Sequence, residues 1–170
     1  MKKSGFWISY CLLVIAQLLL SNYCNFTPYL TLTILPVLVL CISIQVGTSG
    51  AMCIAFLTGL TVDWLSEGLL GLNALALVPV ALLRNPFIRL VFGNELFARG
   101  EDFSIQRNGV GRITLIVVLS QSLFLLLYIW ADGAGLRPLW FNAARFGASL
   151  AVGTVLSLFT LPVLASDSHR

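Results

Sequence analysis

Apolar residues in this chain fall into six long runs, at 6–21, 28–45, 48–65, 69–83, 113–130 and 140–161, separated by short polar breaks except between the fourth and fifth. A helix that crosses a bilayer needs about 20 mostly apolar residues. The first and fourth runs are the shortest and reach that length by extending a turn at their ends. Only the tight turn Val46–Thr48 separates the second and third runs. The pattern predicts an all-α integral membrane protein, a six-helix transmembrane bundle forming a single domain over 1–170. Pro36 and Pro79 lie inside predicted spans, where proline is tolerated.

Composition agrees with the pattern. Hydrophobic residues make up 58% of the chain and charged residues only 10%, with a mean hydropathy of +0.94. A soluble domain carries about a quarter charged residues, so these charges are too few to cover a water-soluble surface. The net charge of +3 therefore bears on topology, not on nucleic-acid binding. The opening MKKSGFW places two lysines before an apolar run, as a signal peptide does. The following SNYCNFTPY lacks a small-x-small cleavage site, so the first run reads as an uncleaved span.

With the N-terminus inside and six spans, the inner segments hold Lys2, Lys3, Arg84, Arg89, Arg99, Arg107, Arg112 and Arg170, and the outer ones only Arg137 and Arg145. The positive-inside rule favours that orientation, with both termini cytoplasmic. The longest break, Asn85–Arg112, opens amphipathically: Phe87, Leu90, Val91 and Phe97 fall near helical spacing, with Arg89, Asn94 and Glu95 between them. It reads as an interfacial helix on the cytoplasmic leaflet or as a docking site for a cytoplasmic partner.

Gly47, Ala51, Ala55 and Gly59 recur every fourth residue along the third run, and Asp63, Glu67 and Gly71 continue the register. Such a ridge of small side chains lets another helix backbone approach closely, so van der Waals packing acts where no hydrophobic force exists between helices. It predicts the tightest internal helix contact of the bundle. Asp63 falls near the outer end of that span. An Asp at the bilayer centre costs about 3 kcal/mol on insertion scales, and less near an interface. Two readings stand: a residue capping the turn before the fourth span, or a polar contact within the bundle or with a periplasmic partner. Glu67, beside Gly68, reads as outer loop.

Catalytic constellations are not apparent. Asp63 and Glu67 lie one helical turn apart, without the Gly-x-Gly-Asp pattern of intramembrane aspartyl proteases or the Asp-x-x-Asp-Gly run of lipid-headgroup transferases. Gly47-Thr48-Ser49-Gly50 matches the rhomboid Gly-x-Ser-Gly, but that mechanism needs a histidine base. The only histidine, His169, follows the last span. Cys11, Cys24, Cys41 and Cys53 show no metal-ligand spacing, and Cys24 alone sits in an outer loop, so no intrachain disulfide, metal or cofactor is expected.

The block from Ala55 to Leu83 resembles the rod shape-determining protein MreD family. That family closes its third span with Gly-Leu-x-x-Asp and opens its fourth with Gly-Leu-x-Ala-Leu. Here these are Gly59-Leu60-Thr61-Val62-Asp63 and Gly71-Leu72-Asn73-Ala74-Leu75. The resemblance implies a non-catalytic subunit of the bacterial cell-elongation complex in the cytoplasmic membrane. Its implied partners are the periplasmic protein MreC and, through the complex, the RodA glycosyltransferase, its penicillin-binding transpeptidase and MreB, with membrane lipids around it. Gly59, Asp63 and Gly71 carry over as structural or partner-contact positions. The family is similar in fold to the substrate-binding subunits of energy-coupling-factor transporters. That supplies an alternative function, a vitamin-type binding component, with Asn22, Tyr23, Asn25, Asp63, Trp64, Trp140 and Asn142 lining an outer pocket.

Overall fold

A computed structural model describes residues 3–23, 31–43, 46–67, 70–93, 109–133 and 138–168. Its long elements are α1 (Lys3–Tyr23), α2 (Leu35–Leu40), α3 (Gly47–Val62), α4 (Leu72–Phe92), α5 (Val110–Gly133) and α6 (Leu139–Ser168), with a π-helical turn, Asp63–Glu67, after α3. Five helices, all except α2, are long and apolar enough to cross a membrane. The chain is an all-α multi-pass membrane protein.

Most of these helices carry apolar residues around their whole circumference, as a lipid-facing bundle requires. Ile8, Leu12, Ile15 and Leu19 of α1 and Val152, Val155 and Phe159 of α6 point outward. Buried Ile113, Ile116, Val117, Phe124 and Leu125 make α5 the central helix, packed on α2, α4 and α6. Trp64, Trp130 and Trp140 are exposed just after α3, near the end of α5 and at the start of α6. Aromatic residues at helix ends suit a membrane–water interface.

The predicted ridge lies in the α3–α4 contact. Ala51, Ala55 and Gly59 are buried, and a Cβ on Gly59 would come within 2.5 Å of the Ala74 backbone nitrogen and Cα. The helices are antiparallel: Gly59 meets Ala74 near one end, and Asn85 Nδ2 donates to Thr48 Oγ1 at 2.9 Å near the other.

Two elements differ from the sequence expectation. The helix predicted to end near 83 continues to Phe92 through Pro79 and Pro86. Ile88 and Phe92 are buried, while Leu90 is exposed. The first part of the expected interfacial helix is thus the last turns of α4. It stops at Gly93, whose φ of +72° suits a residue without Cβ and whose N–H donates to Arg89 O at 2.9 Å. Residues 94–108 lie outside the described residues, as do Cys24, Asn25 and His169.

The second difference is larger. Among the described residues of the run 28–45, only the six of α2 are α-helical, and all of them are buried. Residues 31–34 are not helical. Pro36 sits in the first turn of α2, where a missing N–H leaves no bond unmade. Thr31 bonds to Arg145 and Ser149 of α6, and Thr33 to Gln121 of α5. Arg145 in turn pairs with Asp132, eleven residues beyond Gln121 on α5. The segment therefore runs antiparallel to α5, and Ser43 at its far end accepts from Arg84 near the end of α4.

Because the Gly59 site has no room for a side chain, Gly59→Leu is expected to force α3 and α4 apart. Overpacking of this kind costs about 1–3 kcal/mol or more. Quantitative blotting of the membrane fraction should show a clear loss of protein; full abundance would refute the close-packing account.

Candidate functional site: a carboxylate-capped turn and an unwound segment

Gly59, Asp63 and Gly71 are arranged around the start of α4: Gly59 from within α3, Asp63 and Gly71 from the connection between the helices. The π-helical turn follows α3 directly, and Asp63 is both the C-cap of α3 and fully buried. One carboxylate oxygen accepts from Asn73 N and from the Asn73 side-chain amide, both at 2.9 Å. The other accepts from Gly71 N at 3.0 Å and Ala74 N at 3.3 Å. Gly71 takes a left-handed conformation, φ +99°, as the N-cap residue of α4, which a residue with a Cβ adopts at a cost.

The physical reason for this arrangement is the orphaned start of α4. The first N–H groups of any helix lack intrahelical partners, and the residue at the cap position is a glycine with no side chain to offer. Asp63, eight residues upstream, supplies both oxygens instead. Its negative charge also lies against the positive end of the α4 dipole. Hydrogen bonds to a charged group contribute about 1.5–3 kcal/mol each. Four of them exceed the roughly 3 kcal/mol cost of inserting the carboxylate at the bilayer centre. A carboxylate has about four lone-pair sites, and here each has a donor. Asp63 is thus committed to the turn, with no lone pair aimed at a substrate proton. Of the other residues considered for an outer pocket, Tyr23, Trp64 and Trp140 are strongly exposed, and Asn142 lies beside Gly133.

A second polar assembly was not expected from the sequence. Non-helical backbone at membrane depth must be satisfied by protein or by a water-filled cavity, and three helices supply side chains to residues 31–34. Gln17 of α1 acts as a surrogate peptide group: its Nε2 donates to Leu32 O at 3.1 Å and its Oε1 accepts from Ile34 N at 2.8 Å. Gln121 Nε2 donates to Thr33 O at 3.2 Å. Ser149 Oγ accepts from Thr31 N at 2.8 Å, and Arg145 Nε donates to Thr31 Oγ1 at 3.0 Å. Arg145 also forms an ion pair with Asp132 and lies 5.9 Å from the centroid of the Tyr128 ring.

Arg145, Ser149, Gly153 and Ser157 recur every fourth residue and are all buried, so one ridge of α6 faces the unwound segment. A Cβ on Gly153 would lie 2.5 Å from Gln121 Nε2, so the glycine makes room for the amide. The sequence carried a signal for this site: two glutamines inside apolar runs, and an Arg-x-x-x-Ser-x-x-x-Gly-x-x-x-Ser register within the last one.

Stability in detergent should separate these contributions. Asp63→Ala strands several buried N–H groups, each costing about 1–3 kcal/mol, and should lower Tm more than Asp63→Asn, which keeps one acceptor oxygen. An equal Tm for both would contradict the capping account. Gln17→Leu removes partners from two backbone groups of the unwound segment and Gln121→Leu from one, so Gln17→Leu is expected to be the costlier. The reverse order would show that the Gln17 bridge is not what holds the segment.

No protein-family model, curated protein or solved structure matches this chain.

Proposed function

We propose that this chain is a non-catalytic membrane subunit of the bacterial cell-elongation complex. It would organise peptidoglycan synthesis through an MreC-like periplasmic protein and, through the complex, RodA, a penicillin-binding transpeptidase and MreB. One observation carries the reading. Gly59, Asp63 and Gly71, the positions shared with the MreD motif, all act at the α3–α4 junction, Gly59 by admitting the Ala74 backbone and Asp63 by accepting from Gly71 N. The motif then describes a rigid interhelical corner, suited to presenting a surface to a partner. The filled lone pairs of Asp63 support a scaffold over a hydrolase or transferase.

In this reading the chain crosses the cytoplasmic membrane six times, with both termini cytoplasmic and the Trp64, Trp130 and Trp140 ends outside. The unwound segment with α2 makes the second crossing. Extended residues advance about 3.3 Å each and helical ones about 1.5 Å. Residues 31–43 thus span roughly 30 Å, the thickness of the hydrocarbon core. Topology reporters fused after residue 26 and after residue 45 should then report opposite sides of the membrane. The same side for both would reduce α2 to a re-entrant element and leave five crossings.

A second reading, the small-molecule binding component of an energy-coupling-factor transporter, is favoured by the polar unwound segment, since discontinuous spans hold substrate sites in transporters. Mild-detergent purification of the full chain from its native membrane, with mass spectrometry of what accompanies it, distinguishes the two. Recovery of a periplasmic coiled-coil protein with cell-wall synthases is the expected result. Recovery of paired ATPases with a second membrane subunit would overturn the scaffold reading.

A further inference from the structure

Hydroxyl groups on these helices follow a common habit. Thr58, Thr61, Ser66, Thr114, Ser122 and Thr154 each donate to the carbonyl four residues earlier, at 2.6–2.9 Å. This is the usual way for a serine or threonine to satisfy itself in an apolar helix. Ser157 of α6 departs from it. The residue is fully buried and its Oγ has no hydrogen-bond partner. Gln121, also fully buried, has its Nε2 on Thr33 O while its Oε1 is equally without a partner.

These groups lie along one stretch of the α6 ridge. The position a Cβ would take on Gly153 lies 2.5 Å from Gln121 Nε2, 3.3 Å from Gln121 Cδ and 3.7 Å from Thr33 O. The carboxamide of Gln121 and the Thr33 carbonyl therefore both lie over Gly153. Ser157 is the next residue on the same ridge, one turn or about 6 Å along α6. Thr33 O has two lone pairs and spends one on Gln121. An unpaired amide oxygen, a half-used carbonyl and an unpaired hydroxyl thus lie within about one helical turn of one another along the α6 ridge.

We propose that these three groups bind one ordered water molecule. The water donates one hydrogen to Gln121 Oε1 and the other to Thr33 O, and accepts the Ser157 hydroxyl hydrogen. Three hydrogen bonds are the usual complement of a buried water, and this donor and acceptor count closes with no group left over. The chemistry of the site selects a neutral guest over a metal cation. No carboxylate is among the three groups, and the Arg145 guanidinium holds Thr31, two residues from Thr33. The water makes the unwound segment a hydrated element, with part of its backbone satisfied by an exchangeable molecule instead of a fixed side chain.

The test is a double-substitution cycle on the full chain in detergent, read as Tm. Ser157→Ala is expected to lower Tm by several degrees. Combined with Gln121→Met it should cost about as much as the costlier single change, because both substitutions remove the same water. Ser122→Ala, which loses only a bond to its own helix, is the control and should shift Tm little. An unchanged or raised Tm for Ser157→Ala would overturn the proposal, since deleting a hydroxyl that holds nothing relieves a buried unpaired group. Additive losses would overturn it as well. So would a Tm that rises with sodium chloride over choline chloride in the parent chain but not in Ser157→Ala, because the guest would then be a cation.

Discussion

The constraint on which this structure depends is that lipid offers no hydrogen bonds, so every backbone N–H and C=O in the membrane must find a partner within the chain. Five of the helices meet it through their own ladders. The places where the ladder fails, the orphaned start of α4 and residues 31–34, are where the polar side chains of this apolar chain collect. Asp63 answers the first and Gln17, Gln121 and Ser149 the second, while Arg145 holds the Thr31 side chain. The scarcity of polar residues makes their positions informative: buried Gln17, Asp63, Arg84, Gln121 and Ser149 all bond to backbone groups that lie outside a helical ladder.

Close approach is the complementary requirement. Helices in lipid gain nothing from hydrophobic association, so contact area has to come from shape. Two glycines serve this need in different ways. Gly59 admits the backbone of α4, which brings the start of that helix within reach of the Asp63 carboxylate. Gly153 admits a side chain, the amide of Gln121, which then reaches the Thr33 carbonyl. In both cases a missing Cβ sets the position of a hydrogen bond, so packing and polar satisfaction are one arrangement.

The sequence made part of this legible. Hydropathy identified the five long helices, because a span is a composition signal that needs no tertiary context. The small-residue ridge at Ala51, Ala55 and Gly59 was readable for the same reason, and capping stood among the readings open for Asp63. The second run was misread because a buried, partly extended segment has the same apolar composition as a helix. Only the partners of its backbone distinguish them, and these come from residues as distant as Ser149. The α4 boundary was misplaced because the apolar run breaks at Arg84 and Asn85. In α4 the chain continues past Pro86, with Ile88 and Phe92 buried against the bundle.

The two polar assemblies differ in a way that bears on their roles. The Asp63 turn is charged, saturated and anchored to backbone on both sides, so moving it would strand a carboxylate and several N–H groups together. It is built to stay still. The unwound segment is held largely by neutral amides and hydroxyls, whose individual bonds contribute about 1 kcal/mol. The bundle thus joins one charged, saturated corner to one interior segment held by separate neutral bonds. Rearrangement of the interior would then begin at residues 31–34, because that is where backbone bonds can be exchanged without breaking a helix.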